Sequence, residues 1–213
     1  VNNYTNTIWG HKYFFLRDEF KKLKPNNFRT KVKNILITFG GTDQHNLTSK
    51  VLRNILDICN EFKIGIHIVT GAGYSRKTEL KKLIKKLEKK NMNIFYTHSS
   101  GVISLIMSRC DIAITSNGRT VYELAEMNIP SIVISQHSRE NTHLFARKKN
   151  GFFPIGIYKK NESILNIRKI LIAIINDLDL RKKQYKRINN INFKDNKIKV
   201  LNIISNLINE NIK

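Results

Sequence analysis

The sequence predicts an α/β fold, a Rossmann-like parallel sheet with helices on both faces. Three observations carry that expectation. Short runs rich in Ile and Val alternate with segments whose apolar residues recur at the helical period. The runs are apolar throughout, as strands covered on both faces must be. Small or polar residues, often glycine, follow the runs, where a parallel strand turns into its crossover helix.

The elements follow in order. Residues 1–33 mix aromatic and basic side chains, including IWGHKYFFLRDEFKKLKP, and Pro25-Asn26-Asn27 reads as a turn, so this part is an inter-domain lead-in. NILITF (34–39) reads as the first buried strand, bounded by Gly40-Gly41. Leu47, Val51, Leu52, Ile55 and Leu56 predict a helix over 47–62. IGIHIVT (64–70) is a strand ended by Gly71-Ala72-Gly73, and residues 75–90 form an amphipathic helix with Leu80, Leu83, Ile84 and Leu87 on one face. NIFYTH (93–98) reads as a strand, 102–109 as a short helix, DIAITS (111–116) as a strand and 119–127 as a helix. SIVIS (131–135) is a strand, 139–149 a helix stopped by Gly151, and FFPIG a short strand. Beyond residue 160 come helices over 164–178 and 197–212 with a basic middle between them. Three parts are therefore expected: the lead-in 1–33, a Rossmann-like domain 34–160, and a helical extension 161–213 packing on it.

Composition narrows the function classes. The chain has 213 residues, 41% of them hydrophobic, enough for a sizeable core. No apolar run reaches the ~18 residues of a membrane-spanning helix. The chain begins at Val1 with no charged-then-apolar leader, and reads as cut from a longer protein. Cys59 and Cys110 sit in apolar patterns and read as reduced, buried thiols, consistent with a cytoplasmic location. His137 and His143 do not have the spacing of a helical metal pair, and no Cys/His cluster has metal-ligand spacing, so neither metal nor cofactor is expected.

The net charge of +22 raises nucleic acid as a partner, but the basic stretches lack interleaved aromatics and no nucleic-acid motif is present. Nucleic acid is not expected. The stretch RKTELKKLIKKLEKK (76–90) and the tail from Arg181 to Lys199 are strongly basic, which makes an anionic membrane surface or an acidic partner a further candidate beside solvated helix faces.

Three loops at predicted strand carboxyl ends carry the chemistry, because open parallel sheets bind ligands there. Gly40-Gly41-Thr42-Asp43 lets a backbone approach a ligand, or makes a tight turn and a helix cap. Ser116-Asn117-Gly118-Arg119-Thr120 opens the helix bearing Glu123; free amides at such a start favour an anion. Glu123 would repel a diphosphate but suits a ribose diol, or is an ordinary first-turn acid. The third loop, QHSRENT (136–142), contains Glu140, Asn141 and Thr142.

Ile112-Ala113-Ile114, Ser116 to Glu123, Pro130 and Glu140-Asn141 resemble the nucleotide-binding half of the B-type glycosyltransferase fold. Within it the chain is similar to the UDP-sugar hydrolases of the pseudaminic acid pathway, which remove UDP from a 2,4-diacetamido-2,4,6-trideoxy sugar nucleotide. Trp9 to Phe20 resembles their G-x-K-Y-x-x-L-R-x-E-F segment, and Phe39 to Asp43 their F-G-G-[ST]-D loop. The lipid II-forming N-acetylglucosaminyltransferases share a G-x-T-x-x-E pattern at greater distance. The resemblance spans about residues 9–157. It implies a UDP-sugar held by Gly40, Gly41, Thr42, Asp43, Ser116, Asn117, Gly118, Arg119, Thr120, Glu123, Glu140 and Thr142. Glu123 would bind the ribose, and Asn141 would lie near the pyrophosphate or the reacting sugar as the catalytic candidate. The family's catalytic base is a histidine on a preceding domain that this sequence lacks, so a missing N-terminal domain is an expected partner. Where the family often has Asn-Gln, this chain has Asn141-Thr142. The expected function is the nucleotide-binding half of a UDP-sugar hydrolase in nonulosonic acid biosynthesis. A glycosyltransferase donor domain and a non-catalytic nucleotide-binding or docking module are the alternatives.

Overall fold

Six parallel strands in the order β3-β2-β1-β4-β5-β6 form the centre of the computed structural model, which describes residue 8, residues 10–89 and residues 92–210. Trp9, the Lys90 end of the second helix and the Ile212 end of the last lie outside the described residues. The strands are β1 Asn34–Thr38, β2 Gly65–Thr70, β3 Ile94–His98, β4 Ile112–Ser116, β5 Ser131–Ser135 and β6 Phe153–Ile157. The helices are α1 Leu47–Glu61, α2 Lys77–Glu88, α3 Ser104–Met107, α4 Thr120–Glu126, α5 Ser138–Asn141, α6 Lys160–Asn176, α7 Leu178–Asn189 and α8 Asn196–Glu210.

Alternation along each strand divides the core between the two sheet faces. Ile35 and Ile37, with Ile66, Ile68, Ile112, Ile114, Ile132 and Ile134, pack against α1, α2 and α6. Ile164, Ile167, Leu171 and Ile174 of α6 belong to that same cluster, so the start of the helical extension packs into the main core. On the other face Leu36 and Ala113 meet Leu124 and Met127 of the α4 segment, and Phe20 brings the lead-in onto the sheet. A third cluster joins Val133 to Phe145, Phe152, Ile188 and Phe193. Both cysteines are free and buried, and burial pushes the Cys59 thiol up to about 12.

Two expectations need correction. The helix over 139–149 is confined to α5, followed by turns and a 3-10 turn at Lys148–Asn150. Side chains take over the carbonyls a helix would use: Asn117 Nδ2 donates to Glu140 O (2.8 Å) and His143 O (3.2 Å), and Asn150 Nδ2 donates to Phe145 O (2.8 Å). Phe145 and Ala146 turn inward instead, and Phe145 stacks on Tyr122 at 4.4 Å between centroids. The basic middle, in turn, is a helix. Asp177 caps α7 by accepting from Leu180 N at 2.8 Å, and Arg181, Gln184 and Ile188 point inward at helical spacing. The Arg181 guanidinium is buried against backbone carbonyls of Ile174 and Thr30, a polar anchor that hydropathy does not reveal.

Candidate functional site

In the sheet β1 lies between β2 and β4, with crossovers leaving in opposite directions; this is the switch point where a doubly wound sheet opens a crevice. A cavity of about 620 Å³ lies there, at the carboxyl ends of β1 and β2 and the start of α4. Its walls include Gly40, Thr70, Gly71, Ser99, Arg119, Thr120 and Glu123, and lead-in residues Tyr13 to Arg17 cross it.

Two glycines shape the floor. Gly40 has φ +75, a conformation that costs other residues strain. A Cβ on Gly71 would fall 2.6 Å from Gly41 Cα and 2.8 Å from Gly40 O, and Gly71 N donates to Gly40 O at 3.2 Å. The two loops therefore interlock through their backbones.

The β4–α4 turn forms the adjoining wall. Ser116 is buried, and Asn117 N donates to Ile134 O at 3.2 Å. The amides of Gly118, Arg119 and Thr120 meet no acceptor among the described residues, as the first turn of a helix requires. The Asn117 side chain is buried and ties this turn to the 135–143 loop through Ser135 Oγ, Glu140 O and His143 O. Glu123 follows one turn later, with its side chain 14% exposed. Arg17 donates to Glu123 Oε1 from Nη2 (3.0 Å) and Nε (3.3 Å), and Oε2 accepts from nothing among the described residues. Burial raises the Glu123 pKa, while the Arg17 charge and hydrogen bond oppose the rise. Arg17 also pairs with Glu19 at 2.9 Å, and Glu19 Oε2 accepts from Ser104 N at 2.9 Å. A chain of charges thus runs from α3 through the lead-in to Glu123.

The cavity brings together Gly40, Arg119, Thr120 and Glu123 of the sequence candidates. Gly41 lies beside it, with open space where a Cβ would be, and Ser116 Oγ lies 3.7 Å from the Cβ position of Gly40. Thr42 packs its methyl group toward Gly73, and the Gly118 carbonyl accepts from Val121 N. Asp43 takes the helix-capping role that the sequence offers beside a ligand contact. It is 5% exposed, and its two oxygens cap α1 through Leu47 N (2.7 Å) and Thr48 N (2.8 Å). Glu140 likewise spends Oε2 on Gln136 N at 2.7 Å. Asn141 Oδ1 accepts from Ser135 Oγ at 3.5 Å, and Asn141 does not line this cavity. Thr142 lines a neighbouring recess of about 1120 Å³ that shares Tyr13, Phe14 and Arg119 with the first. Sequence reasoning missed Arg17, Thr70 and Ser99. Arg17 stood within the recognised LRDEF segment, but only its pairing with Glu123 gives it a place at the site. Among the described residues no cluster of His, Cys, Asp or Glu could hold a metal ion.

Comparison with solved structures defines the fold class. The chain superposes on Acinetobacter baumannii MurG with a TM-score of 0.63 at 16% identity, covering 89% of this chain and 52% of that one. A Staphylococcus aureus MnaA–UDP co-structure gives 0.62 at 13% identity over 90% of this chain and 48% of that one. At these identities the likeness is one of fold: the Rossmann-like α/β architecture found in B-type glycosyltransferases. No family model matches the sequence. Among curated proteins the chain is 32% identical over 212 residues to the uncharacterized protein MJ1062 of Methanocaldococcus jannaschii, covering 84% of this chain and 43% of that protein. It is 27% identical over 155 residues, 73% of this chain, to a Helicobacter pylori protein described as pseudaminic acid cytidylyltransferase and UDP-2,4-diacetamido-2,4,6-trideoxy-beta-L-altropyranose hydrolase. That match covers 25% of the H. pylori protein, so the chain spans less than half the length of either relative.

Proposed function

We propose that this chain is the nucleotide-binding half of a UDP-sugar hydrolase that releases UDP from a diacetamido-trideoxy sugar nucleotide in nonulosonic acid biosynthesis. One observation carries the reading. At the sheet's switch point Arg119 and Thr120, whose amides meet no acceptor among the described residues, and Glu123, whose Oε2 accepts from nothing among them, border a single cavity, with the Gly118 amide next in the chain. Amides and Arg119 suit a diphosphate, and the carboxylate suits the adjacent ribose diol. The similarity to the H. pylori protein supports the hydrolase over other uses of the fold.

The division of labour follows from the chemistry. Hydrolysis forms a bond from water oxygen to the anomeric carbon and breaks the bond from that carbon to the diphosphate oxygen. UDP leaves with the electron pair, and the water proton passes to a general base on a companion domain. This chain's part is to hold UDP and to stabilise the negative charge that grows on the departing diphosphate. Arg17 positions Glu123 by fixing Oε1, which leaves Oε2 to accept from a ligand.

Calorimetry with UDP, UMP and CDP tests the reading. UDP should bind more tightly than UMP, which lacks the second phosphate, and more tightly than CDP. Glu123→Ala should weaken UDP by roughly tenfold, the scale of one charge-assisted hydrogen bond. Equal, negligible heats for all three nucleotides in a folded sample would contradict it.

A further inference from the structure

We propose that the protein docks on an anionic lipid surface through a lysine-rimmed apolar cavity and the exposed face of α8 that continues it. The cavity, about 520 Å³, lies between lead-in residues 15–25 and the start of α8. Leu16, Leu23 and Phe193 give it apolar walls. Five lysines line it, at 21, 22, 24, 194 and 197, against one acid, Glu126. Asp18 engages two of them, Lys21 at 2.8 Å and Lys197 at 3.6 Å, and Lys194 lies near enough to Glu126 to oppose the rise that burial gives that carboxyl's pKa; Lys22 and Lys24 have no ion pair among the described residues.

The cavity does not end at its rim. Lys197 lies on the same face of α8 as Leu201, Ile204 and Ile208, at i, i+4, i+7 and i+11. These three are 55%, 49% and 54% exposed. An apolar stripe therefore runs about 15 Å along the helix from a cluster of cations. The basic helix α2 lacks this feature: Leu80, Leu83, Ile84 and Leu87 are all buried against the sheet, so its outer face offers charge alone. On α8, apolar and cationic surfaces lie side by side, the combination that lets a helix settle at a headgroup boundary. The net charge of +22 adds long-range attraction to any anionic bilayer. The lysine rim selects an anionic occupant, and the exposed apolar stripe beside it suits the headgroup–acyl boundary of a bilayer.

Sedimentation with vesicles tests the proposal at about 0.15 M salt, where weak surface charge effects are screened. The protein should pellet with phosphatidylcholine vesicles containing phosphatidylglycerol and stay in solution with phosphatidylcholine alone. The double variant Leu201→Glu/Ile204→Glu, and separately Lys22→Glu/Lys24→Glu/Lys194→Glu, should each weaken partitioning at least about tenfold. All these positions are exposed or line the rim, so thermal melting should match the unaltered protein and exclude misfolding. Lys81→Glu/Lys85→Glu on α2 should retain most of the binding. Failure to pellet, pelleting indifferent to the α8 substitutions, or equal loss in the α2 variant would overturn the proposal; the last would mean that bulk charge alone is responsible.

Discussion

Glu123 concentrates the account at the scale of a residue. Burial holds its pKa above the ordinary 4.5, against the pull of Arg17. A folded-state pKa raised above the unfolded value means that the folded protein holds the proton more tightly. The associated stability is complete below about 4.5 and is lost as pH rises through the raised value. UDP binding runs the other way, because the ribose needs the carboxylate. Affinity should fall as pH drops through that raised pKa, and Glu123→Gln should remove this part of the pH dependence in calorimetric titrations. Asp43 supplies a contrasting prediction. It caps α1 with both oxygens, so Asp43→Ala should cost about 1 kcal/mol and lower the melting temperature by roughly 2–4 °C, with UDP affinity unchanged. The sequence marked Asp43, Asn117 and Glu140 as polar residues of strand-end loops. It could not show that Asn117 Nδ2 and Glu140 Oε2 are engaged inside the protein, or choose the cap for Asp43 over a ligand contact, because that depends on which carbonyls and amides the tertiary fold brings within 3 Å.

Among the elements, the four inner strands were legible because each is a short, largely apolar run, and burial on both faces produces that pattern; the edge strands β3 and β6 are only partly buried. The failures have one cause. In residues 139–149 and in α7, side chains bind backbone groups far away in sequence: Asn117 halts a helix, and Arg181 anchors one whose hydropathy is low. Local periodicity contains neither fact. The interlocked loops after β1 and β2 give a prediction at this scale. Gly71→Ala would place a Cβ within 2.6–2.8 Å of backbone atoms of Gly40 and Gly41, and backbone cannot step aside as a side chain can. It should destabilise the protein by about 1–3 kcal/mol and weaken UDP by displacing the Gly40 wall, readable in denaturant melts and in calorimetry.

Across the whole molecule, the strand order places the β1 and β4 loops together at one crevice, although Gly40 and Arg119, which both line it, stand 79 positions apart in sequence. The alternation of strands and helices announced a parallel sheet, but only the assembled fold sets Arg17 against Glu123 across 106 positions. Among the described residues no histidine lines the cavity that borders Glu123. It should therefore bind UDP yet release none from a UDP-sugar, a result that chromatographic assay of free UDP checks directly. The most direct measurement is a crystal structure of the protein with UDP. The account predicts the diphosphate against residues 118–120 and a ribose hydroxyl within hydrogen-bonding distance of Glu123 Oε2. UDP bound away from this cavity, or bound in it with Glu123 making no contact to the ribose, would contradict it.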